Sequence, residues 1–301
     1  MPGHQLQMIQ DVASNVPAGT PVILYIFTCG PVDITWAQNS DNIHAIVQGF
    51  YPAQSTGDAV ADILFGNTDA GGRLPVTWPQ SMEQVRFSYD TVLNVELFLL
   101  NMLYGMLLVE KFQVPAMSNY TMKGRTYRYW FADKTHSSPL YPFGYGLSYA
   151  SWEYQSLSLS TNRASPCDSI NGTVSVKNVG SVAGDEVPQI YIRWSDTTLP
   201  MPDLQLVNFT RFVNVQPGSS RTFEFSIEPK MLSFYGNVSE SSPAGKDYGG
   251  YWETSNGTIT LFAGGQQPDF NNFVKPRVPS NILEKTVDIV GNRRPLSQCY
   301  Q

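Results

Sequence analysis

The spacing of the apolar residues changes near residue 150, and this change constrains the fold more than any other feature. Before it, apolar side chains recur at helical spacing or form continuous runs, as at residues 22–27. After it, they alternate with polar side chains in short segments, separated by turn residues such as Pro217-Gly218 and Asn256-Gly257. We therefore predict an α/β layer domain over residues 1–150 and an all-β sandwich domain over residues 151–301.

Four segments build the first domain. Residues 4–16 carry a helical stripe, and residues 22–27 predict a parallel strand that is covered on both faces. Residues 45–47 predict a second strand, and residues 55–65 predict a helix with Gly66 as its C-cap. Helices that accompany parallel strands are typical of an α/β layer.

The second domain shows about seven short strands without an intervening helix, which predicts a sandwich of immunoglobulin-like or fibronectin-like type. Five of these strands are marked by alternating segments, at residues 174–179, 187–192, 209–215, 223–227 and 259–263.

Charge and motifs exclude several classes of function. The net charge is -6, which provides no basic surface for a phosphate backbone, so we expect no nucleic-acid partner. The HExxH motif of zinc proteases, the GxSxG motif of serine hydrolases and the P-loop of nucleoside triphosphatases are all absent from the 301 residues. We predict no cofactor and no metal site.

The three cysteines, Cys29, Cys167 and Cys299, are too few for a disulfide framework and too far apart for a CxxC clamp. This spacing favours buried free thiols. A bridge between Cys167 and Cys299 is the alternative, if both lie in the second domain.

Five Asn-x-Ser/Thr sequons indicate a glycosylated, secreted protein, although residues 1–10 contain no signal peptide. We expect that the leader belongs to a missing N-terminus. The predicted glycosylation sites are Asn119, Asn171, Asn208, Asn237 and Asn256.

Residues 92–109 form an apolar stretch that fits neither domain. A membrane-spanning helix is one hypothesis, but Asn94, Glu96 and Asn101 disfavour it, and no basic flank would orient it. We therefore expect no membrane partner.

Several longer motifs occur in a fixed order, and together they resemble glycoside hydrolase family 3. The segment from Gly184 to Tyr191 is similar to the fibronectin-III-like domain that ends members of this family. The motifs of the first domain are Pro2-Gly3-His4-Gln5, Gly30-Pro31-Val32-Asp33-Ile34, Gly49 to Gly57, Asp62 to Gly66, Gly71 to Pro79, Gly124 to Tyr129 and Tyr141 to Tyr149.

The opening motif and the form of the Gly30–Ile34 motif resemble the β-xylosidase branch of the family. This resemblance implies exo-acting, retaining hydrolysis of xylo-oligosaccharides from the non-reducing end, by two carboxylates on separate domains. It makes residues 1–150 a partial α/β sandwich domain, and it places the nucleophile on a barrel domain upstream of Met1 and the acid/base shortly before Pro2. No catalytic residue is therefore expected in this sequence, which should be inactive without the barrel as its partner.

Alternatives to a xylosidase fragment are a noncatalytic carbohydrate-binding or structural module and a β-glucosidase of the same family. One departure from the family is the apolar insertion near residues 91–113, which we hypothesise to be a retained intron or another error of the gene model.

Roles can be predicted for several individual residues. Asp33 either lines the sugar pocket, as a substrate-binding residue, or caps a turn. Arg73 is predicted to anchor loop carbonyls, and Asp185 and Glu186 to lie at a solvated strand entry. Packing between the domains is predicted for an aromatic group, namely Tyr127, Tyr129, Trp130, Tyr141, Phe143, Tyr145 and Tyr149.

Overall fold

The computed structural model describes residues 3–80, 139–196, 201, 204–236, 251–268 and 281–300. The insertion near 91–113 and the sequons at Asn119 and Asn237 lie outside these residues. Two units follow one another along the chain: parallel strands with helices, then a β-sandwich.

Two parallel strands and three helices form the described part of the first unit. β1 pairs with β2 in parallel, as the apolar runs predicted. The elements are α1 (Gln5–Asn15), β1 (Val22–Ile26), α2 (Thr35–Asn39), β2 (Ile43–Gln48) and α3 (Thr56–Leu64).

The cap of the helix α3 lies one residue before the predicted C-cap: Phe65 is the cap residue, and Gly66 follows it. Gly66 has a positive φ of 76°, a conformation that glycine adopts without a steric penalty, and its N–H donates to the Ile63 carbonyl at 3.1 Å. This local geometry depends on residues close in sequence, so the sequence alone could specify it.

The prediction that both faces of β1 are covered was wrong for the described residues. Ile23 is 43% exposed and Phe27, just after the strand, is 52% exposed. The described part of α3 buries no side chain, and α1 buries only Ala13. A continuous apolar run predicts a strand that could be buried on both faces. Whether both faces are buried depends on which other elements pack against the strand.

The core of the first unit forms where the loop at 71–80 returns beside the sheet. Trp78 is buried and donates its indole N–H to the Val32 carbonyl at 2.9 Å. Tyr141 and Tyr145 stack with ring centroids 5.0 Å apart in the same apolar cluster as Ile26. Burial raises the pKa of Tyr141 to about 12, and it raises the pKa of Tyr145 as well.

Alkaline pH should therefore destabilise this unit. The pKa of Tyr141 is about 12 in the folded chain and 10.0 without the protein environment, so its contribution is complete below pH 10 and is lost as the pH rises toward 12. The loss corresponds to about 2–3 kcal/mol. Urea unfolding measured between pH 9 and 12 checks this, with Tyr141→Phe as the control that should lose less stability.

The described residues of the second unit form twelve strands, more than the predicted seven. Its two main sheets have the strand orders β10-β5-β3 and β4-β14-β13-β7-β8, with the pairs β6-β9 and β11-β12 beside them. The strands are β3 (Trp152–Leu159), β4 (Arg163–Ala164), β5 (Ile170–Asn178), β6 (Gly184–Glu186), β7 (Gln189–Ser195), β8 (Gln205–Phe209), β9 (Phe212–Val215), β10 (Ser220–Ile227), β11 (Ser233–Gly236), β12 (Tyr251–Thr254), β13 (Gly257–Gly264) and β14 (Leu283–Ile289).

Alternating side chains of the two main sheets form the sandwich core. Ile170, Val174 and Val176 of β5 are fully buried in one cluster with Ile259 and Leu261 of β13. Burying a side chain of this size contributes about 1.5–3 kcal/mol, so this alternation holds the sheets together. The predicted single strand at 209–215 is instead two strands in different sheets, β8 and β9.

The cysteines differ from the favoured prediction of buried free thiols. Cys167 and Cys299 form a disulfide with their Cα atoms 5.0 Å apart, and Cys29 is an exposed free thiol. The alternative prediction, a bridge within the second domain, is therefore the correct one. The two cysteines are 132 residues apart, so only the folded sandwich brings them together.

No helix among the described residues is long and apolar enough to cross a membrane. The apolar stretch at 92–109 lies outside those residues.

Candidate functional site

Two loops leave the carboxyl ends of the parallel strands β1 and β2, where ligands of open α/β sheets gather. Gln48, the last residue of β2, donates from Nε2 to the carbonyl and hydroxyl oxygens of Thr28, each at 3.2 Å. The N–H of Gly49 donates to the Ile26 carbonyl at 2.9 Å. These bonds fix the start of both loops relative to each other.

Asp33 lies on the first of these loops and is exposed. Its Oδ1 accepts a hydrogen bond from the Thr35 N–H at 3.1 Å, at the start of α2. The turn-capping interpretation thus has a hydrogen bond to support it. Contact between Asp33 and a sugar remains a prediction.

Two contacts with the loop at 71–80 hold the Asp33 loop. The Trp78 indole donates to the Val32 carbonyl, next to Asp33, and the Thr35 hydroxyl donates to the Gln80 carbonyl at 2.5 Å. Since Trp78 is buried, the Asp33 loop has a fixed support, as a binding loop requires.

Tyr51 lies on the second loop, and its side chain is exposed. A side-chain hydrogen bond with Cys29, on the first loop, is the largest cause of a raised Tyr51 pKa. An aromatic ring in solvent at the ligand-binding edge of a sheet has the form that stacks against a sugar. Sequence reasoning did not single out this residue, although it stands in the Gly49 to Gly57 motif.

A buried polar network joins this unit to the sandwich. Arg73 and Glu186 form a salt bridge at 2.9 Å, with side chains that are only 8% and 3% exposed. The Tyr154 hydroxyl donates to the other Glu186 oxygen at 2.9 Å. Burial raises the pKa of Glu186, and the charge of Arg73 opposes the rise. Arg73 also donates to the Gly72 carbonyl at 3.1 Å, as predicted for a loop anchor.

The prediction that Asp185 and Glu186 lie at a solvated strand entry was wrong. Both are buried, and Asp185 accepts from the Arg211 guanidinium and from the Asn214 N–H. Asp69 completes the junction by accepting from the Ser148 hydroxyl and the Asp185 N–H, both at 2.7 Å. Two adjacent acidic residues favour a solvated segment when only the local sequence is considered. Their arginine partners, Arg211 and Arg73, are distant in sequence and could not be identified from it.

The aromatic group divides between two roles. Tyr141 and Tyr145 pack inside the first unit, contrary to the prediction, whereas Phe143 packs against Tyr191 and Phe262 of the sandwich. The exposed Tyr149 donates its hydroxyl to the Ile63 carbonyl at 2.6 Å. The other three predicted members lie outside the described residues.

The described residues can bind a ligand at the sheet edge and can hold the α/β unit against the sandwich. The buried carboxylates of Asp185 and Glu186 are both paired with arginines. No cluster of three or more metal-ligating side chains occurs in the part of the chain that the structure describes. On the two loops at the sheet edge, Asp33 and Tyr51 present exposed side chains that a ligand could reach.

The described residues thus form an α/β unit with two loops at its sheet edge, joined by a buried salt bridge to a β-sandwich. The model of the glycosyl hydrolase family 3 C-terminal domain matches residues 1–149, and that of the fibronectin type III-like domain matches residues 186–267. The chain belongs to glycoside hydrolase family 3.

Curated relatives carry two kinds of name. "Probable beta-D-xylosidase 6" of Arabidopsis thaliana is 29% identical over 273 residues, which cover 79% of this chain and 31% of the relative. "Thermostable beta-glucosidase B" of Acetivibrio thermocellus is 26% identical over 243 residues, covering 78% of this chain and 27% of the relative. The chain thus spans about a quarter to a third of the length of these relatives.

Solved structures show the same fold. A β-glucosidase from Erythrobacter marinus superposes with a TM-score of 0.66 at 25% identity, over 96% of this chain and 30% of that one. β-Glucosidase 3B from Thermotoga neapolitana superposes with a TM-score of 0.67 at 23% identity, over 96% of this chain and 34% of that one.

Proposed function

We propose that this chain is the C-terminal part of an exo-acting, retaining β-xylosidase that releases xylose from the non-reducing ends of xylo-oligosaccharides. The observation that carries the proposal is the Gly30–Ile34 motif, whose Asp33 stands exposed at the carboxyl edge of β1 and β2. Relatives named as β-xylosidases support it, including one from Formosa agariphila that is 31% identical over 236 residues, 78% of this chain and 26% of the relative.

In this proposal the catalytic carboxylates come from outside the 301 residues. A retaining glycosidase holds its two carboxyl groups about 5 Å apart across the scissile bond. The nucleophile is supplied by a barrel domain, and the loops at the sheet edge close the sugar pocket. The polar network around Arg73 and Glu186 keeps the α/β unit fixed on the sandwich.

Secretion is part of the proposal. The bridge between Cys167 and Cys299 supports it, since structural disulfides persist in oxidising compartments and are rare in the cytosol. The five sequons support the same location.

The activity can be tested with aryl glycosides. The 301-residue chain alone should not hydrolyse an aryl β-xyloside above the buffer rate, because it lacks the carboxylate pair. The spliced transcript and the genomic sequence upstream of Met1 give the longer product to express. That product should prefer the xyloside to the matching glucoside by about 10-fold or more in kcat/KM. Hydrolysis of the aryl β-xyloside by the 301-residue chain alone would contradict the proposal that the catalytic carboxylates lie outside it. A preference of the longer product for the glucoside would instead identify a β-glucosidase.

Asp33 provides a test of the pocket itself. Asp33→Asn keeps the Oδ1 acceptor for the Thr35 N–H, whereas Asp33→Ala removes it and should cost about 1 kcal/mol of stability. If the carboxylate contacts the sugar, both variants of the active, longer product lose kcat/KM. An Asp33→Asn variant with unchanged kcat/KM would leave Asp33 only its turn-capping role.

A further inference from the structure

The outer face of the sheet β10-β5-β3 carries a shallow groove of about 710 Å³. Residues on three adjacent strands, several of them small and polar, form most of it, and Asn208 of β8, Glu228 and Met231 complete its lining. On the central strand β5, the register places Asn171 opposite Ser226 of β10, and Thr173 between Ser158 of β3 and Glu224 of β10. Because serine and threonine rise only slightly above the backbone, the sheet face is open there.

One predicted glycosylation site stands inside this groove. Asn171 is exposed, and it begins the sequon Asn171-Gly172-Thr173. Its backbone is fixed by two hydrogen bonds with Ser160: its carbonyl accepts from the Ser160 N–H at 2.8 Å, and its N–H donates to the Ser160 hydroxyl at 3.2 Å. Within the described part of the chain, its side-chain amide has no hydrogen-bond partner and is therefore free to carry a substituent.

The other two sequons in the described residues differ in this respect. The Asn208 amide nitrogen also reaches the groove, but it donates to the Ser226 carbonyl at 3.3 Å. The Asn256 amide nitrogen donates to the Gly291 carbonyl at 3.1 Å, beside a turn in which Gly257 has a φ of 133°. A glycan on either nitrogen would have to compete with an existing contact.

We propose that, among the three sequons in the described residues, Asn171 is the one that carries an N-linked glycan, and that the first sugars of this glycan lie in the groove. The inference rests on the proposed secretion of the protein. The groove offers the hydroxyls of Ser158 and Ser160 and the carboxylate of Glu224, which suit the hydroxyl and acetamido groups of a sugar.

The lining favours this attached glycan over a free oligosaccharide. Sites for free sugars commonly present an aromatic ring for stacking. Phe225, the aromatic residue of the groove lining, is only 5% exposed and belongs to the sandwich core. A covalent bond to Asn171 holds a glycan in a shallow groove that would bind a free sugar weakly.

Occupancy of the sequons tests the proposal. We would express the 301-residue chain behind a cleavable leader in a eukaryotic secretory host and map glycopeptides of both secreted and retained protein by mass spectrometry. Asn171→Gln should remove one glycan, while the matched variants Asn208→Gln and Asn256→Gln should leave the glycan count unchanged. An unmodified Asn171 in wild-type protein would overturn the proposal, as would equal occupancy of Asn208.

Release of the glycan tests its place in the groove. An endoglycosidase should release it from native protein about tenfold more slowly than from urea-unfolded protein. Glu224→Ala should speed the release from native protein, and Arg221→Ala, at an exposed position on the same strand, should not. Equal release rates for native and unfolded protein would exclude a seated glycan. Neither measurement uses glycosidase activity, so a failure here is separate from a failure of the proposed function.

Discussion

Replacing Glu186 with alanine is expected to lower the free energy of unfolding by about 3–5 kcal/mol, because the substitution leaves the Arg73 guanidinium buried without its counter-charge. The two groups are 2.9 Å apart, and both side chains are almost fully buried. The Tyr154 hydroxyl also loses the acceptor to which it donates. Since Arg73 and Glu186 belong to different units, the loss should weaken the attachment of the α/β unit to the sandwich.

Urea unfolding followed by tryptophan fluorescence measures this effect. Glu253→Ala is the matched control, because its pair with Arg293 is longer, at 3.7 Å, and its side chains are 23% and 39% exposed. Exposed pairs contribute about 0–1 kcal/mol, so the control should change little. Equal effects of the two substitutions would show that the Arg73–Glu186 pair does not stabilise the junction.

Removing the disulfide should lower the free energy of unfolding by about as much as Glu186→Ala does. Cys167→Ser opens a covalent loop between residues 132 apart, and the entropy gained by the unfolded chain corresponds to about 5 kcal/mol. Cys167 lies just after β4, and Cys299 lies after β14. These two strands pair in parallel in one sheet, and the disulfide links the segments that follow them. Loss of the bridge should therefore destabilise this edge of the sandwich first.

The free thiol provides the control for this experiment. Cys29 is exposed and unbridged, so Cys29→Ser should change stability by less than about 0.5 kcal/mol. A reducing agent should lower the stability of the wild type and of Cys29→Ser, and leave Cys167→Ser unchanged. A wild type that is indifferent to the reducing agent would refute a stabilising role for the bridge.

Local patterns accounted for much of the fold. The apolar run at 22–27 located β1, and the helical spacing at 55–65 located α3, with Gly66 just after its cap residue. The alternation in the second half located β5, β10 and β13. Each of these features depends on residues within a few positions of one another.

Weakly patterned strands were missed for a related reason. β14 exposes most of its side chains and buries only Val287 and Ile289, so its sequence shows little alternation of polarity. It is held in place by its pairing with β13 and β4. The exposed Tyr51 in the candidate site could be placed only once β1 and β2 were seen to pair in parallel.

The sequence by itself determined the two architectures, their order and the family, since periodicity, turn residues and motifs are local properties of the chain. Only the tertiary structure decided that Asp185 and Glu186 are buried, that Cys167 pairs with Cys299, and that Asn171 stands in a groove. Arg73 lies 113 residues from Glu186, and the bridged cysteines lie 132 apart. The environment of such groups is set by partners that come near only when the sheets have packed.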